Sequence, residues 1–88
     1  MNSADREQLR LSLLRFLDAN NTGRFLGTGL LLQMAKAEGR GDLTEAEVKA
    51  ELQYLLDRGL VEAAAKVISP ENKTWRITAD GRDAFAQL

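Results

Sequence analysis

Between Thr44 and Arg58 the chain carries four carboxylates, Glu45, Glu47, Glu51 and Asp57, against Lys49 and Arg58. Carboxylates at this density are the raw material of acid–base and metal chemistry. Either use requires them to converge, at a cleft or around an ion, with suitable partners. The 88 residues include no histidine and no cysteine. The commonest proton shuttle, the commonest metal ligand and the thiol nucleophile are therefore absent. The acids are scattered over helical faces with no cleft implied, so no enzyme, no metal and no cofactor is expected. Gly27-Thr28-Gly29 opens a helix, but without a long preceding strand or a lysine it is not a phosphate-binding loop. Arg40-Gly41-Asp42 matches an adhesion tripeptide and reads more simply as a turn that needs glycine.

Two of the four acids have a local reason to be where they are. Thr44 is placed as the N-cap of a helix and Glu47 three residues on completes a capping box, with Leu43 and Val48 as the flanking hydrophobic staple. Glu45 and Glu47 also lie at the positive end of the helix dipole. Glu51 and Asp57 lie past the first turn and have no such reason. The buried stripe of this helix is Val48, Leu52, Leu55 and Leu56, and Gly59 followed by Leu60 ends it in a left-handed turn.

The elements around this helix follow from periodicity. Ser3 is the expected cap of a first helix running to Ala19, with Asp5 and Glu7 in its first turn and Leu9, Leu13, Phe16 and Leu17 on one stripe. Leu11 and Leu14 fall on another face. Residues 19–23 stop this helix, and 24–27 form a short extended piece. Thr28 is the expected cap of a second helix over 29–38, with Leu31, Met34 and Ala35 inward and Leu30 at the margin. The pattern turns extended over 60–68, residues 69–73 form a turn around the only proline, and 74–78 alternate with Trp75 and Ile77 inward, which makes a β-hairpin. Thr78 caps a last helix over about 79–87, anchored by Phe85 and Leu88.

Bulk composition sets the frame. Forty-four per cent of residues are hydrophobic, enough for one small core. Twelve basic residues face thirteen acidic ones, for a net charge of −1 and a pI near 5.4. This balance argues against a globally basic nucleic-acid binder and leaves room for a local patch. No apolar run reaches membrane-span length and the N-terminus lacks a signal-peptide core, so a cytoplasmic protein is expected.

Helix, short strand, helix, turn, helix, hairpin, helix is a mainly α (α+β) order. "LQYLLDRGLVE" (52–62) followed by "WRITADGRDAF" (75–85) resembles the third helix, wing and terminal helix of bacterial winged helix-turn-helix regulators of the MarR, PadR and ArsR type. The chain is also similar to small winged-helix proteins of Mu-like prophages. The resemblance covers nearly the whole chain and implies a single winged-helix domain over residues 1–88. It implies a transcriptional regulator that binds double-stranded DNA, with the third helix in the major groove and the wing on the backbone. Carried over by position, Thr44, Lys49 and Gln53 of that helix and Lys66, Lys73 and Arg76 of the wing would contact DNA. Lys49 suits phosphate or guanine and Gln53 suits adenine. Two departures stand out. The turn between helices two and three is longer than usual. The outward face, Ala46, Lys49, Ala50, Gln53 and Asp57 beside Tyr54, is nearly neutral, with alanines where base readers would sit.

That face equally suits a protein partner, because small residues permit close approach and tyrosine is frequent at interfaces. The wing cations are matched by Glu62 and Glu71, as in a solvated hairpin whose lysines discourage aggregation. Related regulators often dimerise through terminal helices. Leu11 and Leu14 therefore either pack under the last helix, against Phe85 and Leu88, or join these residues in a homodimer seam.

Overall fold

The computed structural model describes residues 2–20, 23–64 and 73–88. Lys66, the outer part of the expected second strand, the 69–72 part of the turn, and Asn21 and Thr22 lie outside the described residues. The described elements are α1 (Ser3–Ala19), β1 (Leu26–Gly27), α2 (Thr28–Ala37), α3 (Glu45–Asp57), β2 (Val61–Ala63), β3 (Thr74–Ile77) and α4 (Ala79–Ala86). The fold is mainly helical α+β, with one small antiparallel sheet in the order β1-β3-β2.

Local signals account for most helix ends. The α1 cap is Asn2 rather than Ser3: its Oδ1 accepts the Asp5 N–H at 2.8 Å. Both residue types cap well, and the helix simply begins one residue after the one that makes the bond. At α3 the capping box is complete. Thr44 Oγ1 accepts the Glu47 N–H at 3.2 Å, and Glu47 Oε1 accepts the Thr44 N–H at 2.9 Å. The same helix ends in a Schellman turn. Leu60 N–H donates to Leu55 O and Gly59 N–H to Leu56 O, both at 2.9 Å. Gly59 takes φ +73° there, which glycine adopts without strain.

The expected cap of α2 is wrong in an informative way. Gly27 occupies the cap position, without a side-chain bond, and Thr28 is already helical. The Thr28 hydroxyl turns inward instead and accepts the Trp75 Nε1–H at 2.9 Å. A buried indole needs an acceptor, and that need outweighs a local cap. The helix also ends at Ala37, with Glu38 as its C-cap.

The hairpin gains a third strand. Leu26 pairs with Trp75 and Gly27 with Thr74, so the short extended piece becomes an edge of the sheet. On the other side Val61, Glu62 and Ala63 pair with Ile77, Arg76 and Trp75. Trp75 and Ile77 point into the core, as their alternation predicts.

The core joins Leu9, Leu13 and Leu17 of α1 to Leu31 of α2, Val48, Leu52 and Leu55 of α3, and Trp75. Leu14 belongs to it as well, at 4% exposure, whereas Leu11 on the same helix is 39% exposed. Phe85 packs against the core, but Leu88 is 77% exposed and lies past the end of α4, so it does not anchor that helix. Thr78 caps α4 through the Gly81 N–H at 3.0 Å and donates its hydroxyl to Gly59 O at 2.7 Å. This ties α4 to the end of α3. A Cβ on Gly81 would lie 2.0 Å from Leu60 O, so only glycine permits this approach. Arg40, in the turn after α2, reaches back to α1, where its Nη1 donates to Ser12 Oγ at 2.9 Å. No helix among the described residues is long and apolar enough to cross a membrane.

Candidate nucleic-acid interface

The outward residues of α3 all reach solvent. Ala46, Ala50, Gln53, Tyr54 and Asp57 are exposed and Lys49 is half-buried. An i, i+3, i+4, i+7 spacing from Ala46 places Lys49, Ala50 and Gln53 on one face. That face forms one wall of a 450 Å³ cleft lined by Ala46, Lys49, Ala50 and Gln53, with Thr28, Lys73 and Trp75 opposite. The cleft thus brings together two residues of α3 and one from the approach to β3 that sequence reasoning placed at DNA.

Thr28 and Trp75 build the far wall. Besides accepting the indole proton, Thr28 donates its backbone N–H and its hydroxyl to Lys73 O, each at 3.3 Å. Lys73 is therefore held against the start of α2, and its Nζ lies 5.7 Å from the Trp75 ring centroid. From the sequence alone Trp75 is an inward-facing strand residue and Thr28 a helix cap. The available signal was a tryptophan that needs an acceptor, with no polar neighbour in its own strand facing the same way.

The other predicted contacts lie elsewhere. Thr44 is engaged in the capping box, where its hydroxyl both accepts from Glu47 N–H and donates to Glu47 Oε1 at 3.0 Å. Arg76 faces outward on the sheet. Its Nε donates to Glu62 Oε1 at 2.8 Å, Nη2 joins the same carboxylate, and Nη1 reaches Gly23 O at 3.3 Å. Its guanidinium also lies 4.5 Å from the Phe25 ring centroid. The cleft does not include it.

Each acid of α3 has a partner. Glu45 Oε1 is 3.6 Å from Lys49 Nζ. Glu47 closes the capping box, and the hydrogen bond from the Thr44 backbone, with that from the Thr44 hydroxyl, holds its carboxyl below the ordinary 4.5. Asp57 accepts the Gln53 Nε2–H at 2.9 Å. Glu51, at 6% exposure, accepts Arg10 Nε at 2.7 Å across the α1–α3 seam. The Arg10 guanidinium lies 3.7 Å from the Tyr54 ring centroid, in cation–π contact, and that of Arg58 lies 5.9 Å from it. The sequence signal for this pair is only that each charge lies on or beside an apolar stripe of its helix, which calls for a partner without naming it.

The four residues considered for a dimer seam are divided. Leu11, Leu14 and Leu88 line a 330 Å³ groove with Ala84, Leu55 and Leu60. Phe85 borders a second depression, which Leu11 and Leu88 also line. Leu14 forms the floor of the groove and contributes little surface, whereas Leu11 and Leu88 project.

No protein-family model matches this chain, and no curated protein matches it in sequence.

Proposed function

We propose that the chain is a winged helix-turn-helix protein that binds double-stranded DNA, with α3 in the major groove and the β2–β3 ribbon as the wing, and that it acts in transcriptional regulation. The order of elements and the β1-β3-β2 sheet fit that arrangement. The observation that carries the reading is the convergence of Lys49 and Gln53 on α3 with Lys73 at the head of β3 around one cleft. The acidity of α3 loses force as an objection, because Glu47 and Glu51 serve the fold rather than face a ligand. Leu11 and Leu88 supply the exposed apolar surface for a homodimer. Fluorescence anisotropy with a duplex at low salt tests the reading. Affinity that falls steeply as salt is added supports it, and absence of binding at micromolar protein sinks it.

A second reading is a winged-helix module that binds protein through the same face. It is favoured by the exposed alanines at 46 and 50 beside Tyr54, a smooth strip suited to close packing. Here Ala50→Arg abolishes recovery of a partner that the wild-type chain retains. Undiminished recovery argues against an α3 contact.

A further inference from the structure

We infer that this interface grips duplex DNA by its phosphate backbone and discriminates little between sequences; the inference rests on the DNA-binding reading above. A base-reading side chain must offer its hydrogen-bonding groups to the base edge in a fixed geometry. The two polar readers on α3 are already engaged one turn away. Gln53 donates to Asp57 at 2.9 Å, and Lys49 lies 3.6 Å from Glu45. Turning Gln53 to an adenine breaks its bond and leaves Asp57 unpartnered beside the nucleic acid. The other two positions of this face, Ala46 and Ala50, carry only a methyl group, whose sole specific partner is the thymine methyl.

Phosphate recognition asks less. An ammonium is a point charge that needs proximity rather than a fork-shaped fit. Lys49 keeps donors free beyond its contact with Glu45, and Lys73 stands on the opposite wall of the cleft. Two lysines on separate elements across a 450 Å³ cleft suit a single sugar–phosphate strand passing between α3 and the ribbon. The arginine of the ribbon, the residue best shaped to read guanine, is turned away and bound to Glu62.

The test measures affinity for a set of unrelated duplexes of equal length, including the winner of a selection from a random pool, across a salt series. The wild-type chain, Lys49→Ala and Lys73→Ala are compared, with far-ultraviolet circular dichroism as the check on folding. We expect all duplexes to bind within about tenfold of one another, where a sequence reader separates its site by a thousandfold or more. Each substitution lowers the slope of log affinity against log salt by about 0.9, equally for every duplex. A selected duplex that outbinds the rest by more than about tenfold, or slopes unmoved by both substitutions, overturns the inference and leaves DNA binding standing. No binding to any duplex overturns both.

Discussion

The two flanks of α3 are built on opposite plans. Against α1 it is closed: Leu52 and Leu55 are buried among the leucines of α1, and the buried Glu51 on that side is matched by Arg10, whose guanidinium lies on the Tyr54 ring. Against β3 it is open, with a cleft walled by alanines, two lysines and a glutamine. The same residue type behaves differently on the two flanks. On the closed side a carboxylate without its partner is a buried charge and costs the fold. On the open side Glu45 and Asp57 are exposed, so the loss of their partners costs the fold little. Charge on α3 is thus a structural device on one flank and an adjustable one on the other.

The largest effect that separates the flanks is expected at Arg10. Arg10→Met keeps much of the side-chain volume and leaves Glu51 unpaired, so stability falls by about 2–3 kcal/mol. For a domain of this size each kcal/mol lowers Tm by about 4–8 °C, which thermal or denaturant unfolding resolves. Glu51→Leu in the same background restores most of the loss. If the double variant is no more stable than Arg10→Met, the seam is not held by this pair.

Next is Thr28, in the wall of the open flank. Thr28→Val strands the Trp75 indole N–H and removes one of the two hydrogen bonds to the Lys73 carbonyl, leaving that from the backbone N–H, for about 1–2 kcal/mol. Thr28→Ser restores both bonds. The indole is the reporter: a shifted Trp75 emission is expected in the valine variant and a native one in the serine variant. Glu45→Gln, further out on the same flank, costs at most about 0.5–1 kcal/mol of stability. By freeing Lys49 it raises duplex affinity about twofold in the anisotropy assay.

Legibility follows distance along the chain. The capping box, the glycine stop of α3, the span of α1 and the cap of α4 are settled within a few residues, and all can be read from neighbours. The features that escape are set by partners far away. Glu51 finds Arg10 across 41 positions, and Thr28 leaves its expected capping role for Trp75 across 47. The pairing of β1 has the same origin, since two residues become a strand only when β3 arrives beside them. The candidate site divides in the same way. Which residues of α3 face outward is a matter of helical period, whereas the turning away of Arg76 toward Glu62 and the seating of Lys73 on Thr28 are tertiary outcomes.

The smallest expected effect concerns the end of α3, where its two flanks meet solvent. The Glu47 carboxylate accepts bonds from the Thr44 backbone and hydroxyl, and these depress its pKa below 4.5 in the folded chain. A depressed carboxyl contributes stability that is complete above its unfolded value and drains away as pH falls through the folded one. Glu47→Gln retains a neutral partner for the capping box and removes the titration. The two proteins therefore differ in Tm at neutral pH, with the wild type higher, and the gap closes as pH falls below about 4.5. Because the carboxylate lies at the surface, the gap is expected to be small and to shrink with added salt. A gap that persists unchanged to pH 3 places the advantage of glutamate in packing rather than charge.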